Sequence, residues 1–307
     1  MKSLYQHTLT ESVEFEGIGL HSGKKSRVKL IPASEDFGIV FKRIDVNINN
    51  TIKANYKNVS SAKLCTTLEN QTGLKVSTVE HLLAAFYITG IDNVLIEIDN
   101  EEVPIMDGSS KEFIEVLQSI GNKELSKKRK YLKVLKRVEI KENEKSIVIE
   151  PSEELDVSFQ LNYNNKIIGK QKSRVNFSDK KLKDVYSSRT FCLFEDIEKI
   201  KRNGLAKGGS LENAIVVDEN KVINKEGLRN EKEFANHKIL DLAGDFLLSG
   251  YRILGKVNCH QGGHQLTNSF LKKLLKSKGA FKVLELESSK SRRNLTTSQS
   301  IKLAVNA

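Results

Sequence analysis

Apolar residues recur at helical spacing between residues 77 and 87, which predicts a helix that ends at Gly90. Ser77 and Glu80 have the spacing of a capping box, in which two side chains bond the free amides at a helix start. The apolar run Val94–Ile98 that follows predicts a buried strand. The pattern is therefore helix, then strand.

A second helix is predicted after the strand, because Ser109 and Glu112 again have capping-box spacing and Gly121 closes the segment. The apolar residues on one face of this helix are Phe113, Leu117 and Ile120. Together the segments predict a helix-strand-helix unit in the first half of the chain.

The same order appears in the second half. A helix over 231–248 is predicted to end at Gly250, a strand to cover 253–257, and a helix over 268–276 to end at Gly279. The two units are offset by 158 to 160 residues. This offset indicates an internal repeat of one fold.

The repeat has a chemical consequence. It brings His81 into register with Asp241, and Asp107 to within one residue of His264. A site at the interface between two related domains would gather these polar residues. We therefore expect such a site.

Earlier segments in each half predict antiparallel hairpins. Strands are expected at 15–20 and 26–30 in the first half, and at 134–140 and 146–149 in the second. Each half is thus expected to be α+β, with a mainly antiparallel sheet and two helices.

A like-charge run at 127–130 interrupts the apolar pattern and predicts the domain boundary. The expected domains are 1–126 and 127–307, in keeping with roughly one domain per 150 residues. The first half holds 13 Lys and Arg against 17 Asp and Glu, whereas the second holds 37 against 22. The second half is therefore strongly basic.

The basic excess suits three partners: nucleic acid, an acidic membrane surface, or an anionic small molecule such as a nucleotide sugar. A solvated lysine-rich surface would also explain most of it. The chain has no Trp and no aromatics among its Lys and Arg runs, as base stacking would need. Nucleic acid is thus the least favoured of the three classes of partner, and we expect no nucleic-acid partner.

Composition also bounds the location. No apolar run approaches the roughly 20 residues of a membrane span, and acidic residues occupy the start of the chain where a signal peptide would be apolar. Three distant cysteines form no disulfide framework and suit a reducing compartment. We expect a cytoplasmic monomer with no transmembrane segment.

The predicted helix 231–248 carries His237, Asp241 and Asp245 at i, i+4 and i+8, on one face. A His and an Asp one turn apart can share a divalent metal ion. The alternative is a plain hydrogen bond between them. His81, which the repeat aligns with Asp241, would complete a His2Asp site of the catalytic zinc type.

Other residues near this stripe could act on a substrate. Glu80 could serve as a general base, although it could also simply close the capping box. His264 could protonate a leaving amine, or be an ordinary loop histidine, and Asp245 could orient it. Cys259 and His260 offer a rival ligand pair, but adjacent strand residues point to opposite faces.

Five motifs occur in order along the chain: 77–82 (STVEHL), 104–109 (PIMDGS), 189–191 (RTF), 237–241 (HKILD) and 262–264 (GGH). Together they resemble the zinc-dependent UDP-3-O-acyl-N-acetylglucosamine deacetylases of lipid A biosynthesis, over nearly the whole chain. The resemblance implies two α+β domains of like topology with helices packed between two sheets. It also implies a nucleotide-sugar lipid as substrate and acetate as a product.

The resemblance implies roles for individual residues. Those expected to bind Zn2+ are His81, His237 and Asp241. Glu80 would be the general base on the metal-bound water, and His264, held by Asp245, the general acid. Thr190 would help stabilise the oxyanion, and Lys238 would meet a substrate phosphate or nearby negative charge.

The segment at about 190–217 resembles the inserted unit that forms a passage for the acyl chain in this family. The residues expected to contact the lipid are Leu20, Phe191, Ile197 and Ala206; ordinary core packing is the alternative. Gln261 stands where related sequences tend to carry Lys or Arg, so another basic residue would take over that phosphate contact.

The sequence supports one main hypothesis, a zinc-dependent N-deacetylase at the committed step of lipid A assembly. A zinc amidohydrolase acting on a different acetylated sugar is one alternative. A basic nucleic-acid-binding protein with a structural His and Asp stripe is another.

Overall fold

The computed structural model describes residues 3–179 and 181–287. Within these residues the chain forms six α-helices and nineteen strands. The helices are α1 (Glu80–Thr89), α2 (Lys111–Ile120), α3 (Lys183–Tyr186), α4 (Ile197–Arg202), α5 (Glu233–Leu247) and α6 (His264–Lys276). Short 3-10 helices lie at Tyr56–Asn58 and Phe194–Asp196.

The first half builds a five-stranded sheet in the order β2-β3-β9-β4-β5 and a small three-stranded sheet, β6-β7-β8. Its strands are β1 (Tyr5–Leu9), β2 (Val13–Ile18), β3 (Lys25–Pro32), β4 (Ile39–Arg43), β5 (Thr51–Lys53), β6 (Val59–Ser61), β7 (Thr67–Glu69), β8 (Lys75–Val76) and β9 (Val94–Ile98). Burial alternates along β9, which buries Val94, Ile96 and Ile98 on one face and leaves Leu95 and Glu97 partly exposed on the other.

The second half builds a seven-stranded sheet around its long central strand β18. Its strands are β10 (Asn122–Lys128), β11 (Lys130–Val134), β12 (Val138–Glu142), β13 (Lys145–Glu150), β14 (Leu155–Asn162), β15 (Lys170–Asn176), β16 (Phe191–Leu193), β17 (Ile215–Val217), β18 (Arg252–His260) and β19 (Phe281–Glu285). Most strand pairs are antiparallel; β4 with β9, β11 and β14 with β18, and β16 with β17 are parallel. The expected α+β class is confirmed.

Helices α1, α2, α5 and α6 form the layer between the two sheets, as expected. Helix α2 packs on the first sheet through Phe113, whose ring centroid lies 4.9 Å from that of Phe15 on β2. Helix α5 packs on β14, β15 and β18 of the second sheet, and α6 on β12 and β13. Helices α1 and α5 pack against each other, so one continuous core joins both halves.

The crossing of α1 and α5 depends on Gly244. A Cβ atom at this position would lie 2.1 Å from the carbonyl oxygen of Glu80, so only glycine permits the approach. Every residue of α5 except Lys238 is buried. The polar residues near the crossing are therefore buried: Glu80, His81, His237, Asp241 and Asp245.

Both halves contain the predicted helix-strand-helix order, as α1-β9-α2 and α5-β18-α6. The central strands also pair alike: β9 is antiparallel to β3 and parallel to β4, and β18 is antiparallel to β13 and parallel to β14. The internal repeat itself remains a prediction.

The predicted capping box at Ser77 and Glu80 is wrong. Helix α1 begins at Glu80, and no side chain caps it. The Ser77 hydroxyl donates to the Glu101 carbonyl, and the Glu80 carboxylate accepts the Thr66 amide. A positive φ of 57° at Thr78 turns the backbone between them, so the box cannot close.

The second predicted box, at Ser109 and Glu112, is not formed either. Helix α2 begins at Lys111, and its N-cap residue Ser110 makes no capping bond with its side chain. The Ser109 hydroxyl instead accepts the Lys111 amide and donates to Asp107. Tertiary and turn contacts thus use the side chains that the local pattern assigned to caps.

Two further boundaries differ from prediction. Helix α6 starts at His264, four residues before its expected start, so His264 is the first helical residue and not a loop residue. The strand predicted over 134–140 is two strands, because the amides of Leu135 and Lys136 leave the sheet to bond the Ala280 carbonyl. The hairpin of β2 and β3 is confirmed, with limits shifted by one to two residues.

The charge run at 127–130 is not a loop. Its first residues belong to β10, which pairs with β1 near the start of the chain. The boundary between residues 126 and 127 stays a prediction, and residues 288–307 of the second expected domain lie outside the described residues. None of the helices in the described ranges is both long and apolar enough to cross a bilayer.

Candidate metal centre and active site

Three side chains from α1 and α5 converge where the helices cross. His81 is the second residue of α1, and His237 and Asp241 lie one turn apart on α5. The Nε2 atoms of the two histidines lie 3.5 and 3.4 Å from Asp241 Oδ1. One ligand atom from each residue lies within 4.8 Å of the others, which suits a single metal ion.

The oxygen that faces both histidines lacks an ordinary partner. Asp241 Oδ1 is buried and accepts no hydrogen bond within the described residues, and His81 Nδ1, the ring nitrogen that does not face Asp241, makes none there either. A buried acceptor without a donor is costly, whereas a cation between the three side chains would satisfy it. Two histidines and one carboxylate are the donor set of a catalytic zinc site. The residues therefore fit a divalent metal.

The electrostatics agree with this fit. His237 donates from Nδ1 to the Ser188 carbonyl, 3.1 Å away, which leaves the Nε2 lone pair facing Asp241. Burial lowers the pKa of His237 to about 3, so the ring is neutral. Burial alone would raise the pKa of Asp241, but the neighbouring groups, among them the Lys238 ammonium and the cationic His264, hold it well below its usual value. A neutral imidazole and an ionised carboxylate are what a metal ion needs.

A second cluster adjoins the first. His264 Nδ1 lies 2.8 Å from Asp245 Oδ2, and its Nε2 lies 3.7 Å from both Glu80 Oε1 and Asp241 Oδ2. The Thr66 amide donates to Glu80 over 3.0 Å, and the Thr66 hydroxyl donates to Asp245 over 2.6 Å. One threonine thus holds both carboxylates beside the imidazole.

This cluster pairs a basic carboxylate with a cationic imidazole. Burial raises the pKa of Glu80, an effect that His264 and His81 oppose. Burial would lower the pKa of His264, but Asp245, Glu80 and Asp241 together raise it to about 10. Both pKa values are raised, so a carboxylate made more basic by burial lies beside an imidazolium that its carboxylate neighbours stabilise.

The residues expected to contact lipid do lie together. An apolar cavity of about 270 Å³ is lined by Leu20, Thr190, Phe191, Ile197 and Ala206, with Leu64, Ile200, Leu211, Ala214 and Val216 among its other walls. The Phe191 ring centroid is 6.2 Å from that of His237. The cavity therefore adjoins the metal group.

Lys238 is not solvent-exposed in the way that a surface lysine would be. Its Nζ donates to Asp241 Oδ2 over 2.7 Å and lies 5.7 Å from the Phe191 ring centroid. Burial opposes the shift, but Asp241 raises the pKa of Lys238. The ammonium group thus borders both the metal group and the cavity, and its contact with substrate stays a prediction.

The rival ligand pair lies outside the cluster. Cys259 is buried, whereas His260 is partly exposed and its Nδ1 bonds the Glu144 carbonyl. Gln261, the departure from the expected basic residue, bonds the Asn162 carbonyl through its side chain.

Sequence reasoning missed Thr66, the Ser188 carbonyl and Glu102. Glu102 is almost completely buried and accepts bonds from His21, Ser22 and Thr78, so it fixes the turn that carries Leu20. These contacts join residues 14 to 179 positions apart, and backbone groups leave no trace in side-chain patterns. Local spacing offered no signal for them.

Comparison with known proteins agrees with this geometry. The sequence profile of the LpxC family, described as UDP-3-O-acyl N-acetylglycosamine deacetylase, matches residues 6–276. The chain belongs to this deacetylase family. The resemblance found in its motifs is confirmed, and the chain is an enzyme of the hydrolase class.

Several relatives carry the name UDP-3-O-acyl-N-acetylglucosamine deacetylase. The Geotalea uraniireducens (strain Rf4) protein is 44% identical over 283 residues, which cover 92% of each chain. The Helicobacter pylori (strain ATCC 700392 / 26695) protein is 41% identical over 280 residues, covering 91% of this chain and 94% of the relative. The Shewanella violacea protein is 39% identical over 287 residues, covering 92% and 94%. The deacetylase family match spans every residue of the two clusters.

Proposed function

We propose that this chain hydrolyses the N-acetyl group of UDP-3-O-[(3R)-3-hydroxyacyl]-N-acetylglucosamine. The products are acetate and UDP-3-O-acyl-glucosamine, and the step is the committed one of lipid A biosynthesis. The observation that carries the proposal is the His81, His237 and Asp241 group beside Glu80 and His264, next to an apolar cavity. The names of the relatives supply the substrate.

His81, His237 and Asp241 would hold Zn2+, which lowers the pKa of water toward ~7 and polarises the acetyl carbonyl when bound. Glu80 would take the proton from the attacking water. The Thr66 amide orients its carboxylate, and burial makes that carboxylate a stronger base than an exposed one.

His264 would give a proton to the departing nitrogen. Asp245 holds its Nδ1, so Nε2 is the atom that faces Glu80 and the metal group. Thr190, in the cavity wall beside Phe191, would stabilise the oxyanion through its hydroxyl. Acid and base thus lie on neighbouring helices, within reach of one reacting amide.

The cavity would take the 3-O-acyl chain, with Leu20, Phe191, Ile197 and Ala206 in contact with it. Lys238 would neutralise negative charge on the substrate. The basic second half suits a diphosphate. We further propose a cytoplasmic monomer with domains at 1–126 and 127–307, and no nucleic-acid partner.

The test is acetate release from this substrate by chelator-treated protein, before and after one equivalent of Zn2+ is added. We expect release only with metal. The same assay on UDP-N-acetylglucosamine, which lacks the acyl chain, is the control. Equal rates on both substrates would favour a different acetylated sugar, and no release from folded, metal-loaded protein would contradict the proposal.

A further inference from the structure

The segment 187–190 carries two parts of the site without any regular secondary structure. The Ser188 carbonyl accepts the bond from His237 Nδ1, and Thr190 lies in the cavity wall. Backbone hydrogen bonds tie the Ser187 and Ser188 amides to α3, and Thr190 to Gly108 and Ile215, but none of these bonds involves Arg189 between them. The position of the Ser188 carbonyl therefore also depends on side-chain contacts.

Those contacts centre on Arg189. Its side chain is only 1% exposed, and its Nε lies 2.9 Å from Glu233 Oε1, which also accepts the Arg189 backbone amide over 3.1 Å. Its Nη2 donates to the Gly227 carbonyl and its Nη1 to Glu226. Because the guanidinium is planar and rigid, the directions of these hydrogen bonds are fixed relative to one another.

Glu233 is fully buried and has a second task. Its Oε2 accepts the Arg229 amide over 2.6 Å, so both carboxylate oxygens are occupied. Glu233 is the first residue of α5 and lies one turn before His237. The ion pair therefore joins segment 187–190 to the same helix that carries the metal group.

The ion pair of Arg189 and Glu233 thus fixes both partners of one hydrogen bond, from His237 Nδ1 to the Ser188 carbonyl. Arg189 directly follows the residue whose carbonyl accepts, and Glu233 shares a helix face with the histidine that donates. Buried ion pairs are seldom better than apolar packing for stability, and their value is often in the geometry they impose. Groups that orient a metal-binding histidine typically affect metal affinity or activity by 10- to 100-fold.

We propose that Arg189 and Glu233 are positioning residues of the metal centre. They fix the Ser188 carbonyl that orients His237 and set the backbone at Thr190. The proposal rests on the proposed function for the identity of the site, because it takes the histidine to be a metal ligand. It assigns a role to the arginine of the 189–191 motif, which the mechanism leaves unused.

The test compares Arg189→Lys and Glu233→Gln with the unmodified protein. The lysine keeps the charge but loses the fork, and the glutamine keeps the shape but loses the charge. We expect each variant to bind Zn2+ roughly 10- to 100-fold more weakly in chelator competition. At saturating Zn2+ we expect a lower kcat with KM nearly unchanged.

The matched control is Arg252→Lys. Arg252 is also buried and bonds backbone carbonyls at the other end of α1, away from the metal group. We expect this variant to lose stability and keep its Zn2+ affinity. If Arg189→Lys fails to fold, Glu233→Gln decides the question, since it is nearly isosteric.

Zn2+ affinity within two-fold of normal in the folded variants, with only a lower melting temperature, would overturn the proposal. The affinity measurement needs no turnover. If the unmodified protein released no acetate but the variants lost metal, the proposed function would fail while the positioning role stood.

Discussion

A cluster of buried charged residues lies at each end of helix α1, and the two clusters differ in whether their polar atoms have hydrogen-bond partners. At the N-terminal end, Asp241 Oδ1 has no hydrogen-bond donor in the described part of the chain. At the C-terminal end, Arg252 donates to the carbonyls of Phe86, Tyr87 and Ile91. The first cluster lacks a partner that a cation would supply, and the second is complete.

The complete cluster is a helix cap built from the other half of the chain. The last carbonyls of a helix lack intrahelical donors and carry partial negative charge, which a guanidinium satisfies. Arg129 adds bonds to the Gly90 carbonyl and to Asp92, which also pairs with Arg252. Buried charge whose donors meet carbonyls and a carboxylate stabilises the junction, whereas buried charge with an unused acceptor marks the place for chemistry.

Removing a ligand should have the largest effect. In Asp241→Ala the incomplete cluster loses the oxygen that faces both histidines, so metal and activity should disappear together. We expect metal content at background and turnover lower by roughly a thousand-fold or more, since the metal supplies the main activation of the attacking water. Metal analysis and acetate release measure the two.

The matched control for that change is Asp245→Ala. Asp245 lies one turn further along α5 and bonds His264 and Thr66, outside the ligand group. It should keep the metal. An active and fully metallated Asp241→Ala protein would remove Asp241 from the ligand set.

The Glu80→Gln variant separates metal binding from proton transfer at the incomplete cluster. The amide keeps the shape of the side chain but cannot take a proton. We expect normal metal content and turnover lower by about 10²-fold or more, the usual contribution of a general base. Near-normal turnover would show that the carboxylate serves only its bond with the Thr66 amide.

The same two clusters show what could be predicted from the sequence. His237 and Asp241 stand one turn apart, so any helix there brings them together, and the repeat register added His81. The Arg252 cap had no local signal, because its acceptors lie more than 160 residues away.

Short-range patterns failed where long-range contacts competed for the same atoms. The capping box needed the Glu80 carboxylate to turn back on its own helix start, but Thr66 holds it toward His264. The start of α6 at His264 was missed because Gly262 and Gly263 suggested a loop. The family motifs contain polar residues that lie together in the structure, whereas local propensity misassigned the starts of three helices.

Substitutions in the complete cluster should lower the stability of the protein and leave its activity unchanged. In Asp92→Asn both guanidinium groups lose their shared counter-ion, and removing one partner of a buried pair typically costs about 3 kcal/mol. We expect a lower free energy of unfolding in urea with unchanged Zn2+ affinity and kcat/KM. Reduced metal affinity in this variant would show that the ends of α1 are coupled.

A substitution in the cavity wall should change substrate binding without changing either cluster. Its effect is expected to be the smallest of these predictions. In Ile197→Trp the larger ring would shorten the cavity at α4. Excluding one or two methylene groups of the acyl chain, at ~0.8 kcal/mol each, should raise KM for a long-chain substrate by about 4- to 15-fold. Metal content and kcat should stay normal.

A substrate with a short acyl chain should be hydrolysed equally well by Ile197→Trp and the unmodified protein, because its chain does not reach the altered wall. Lys199→Ala is the matched control, since it lies on the same helix and does not line the cavity. An equal rise in KM for short and long chains would place the acyl group elsewhere. The apolar wall would then contribute to stability alone, as the Arg252 cap at the far end of α1 does.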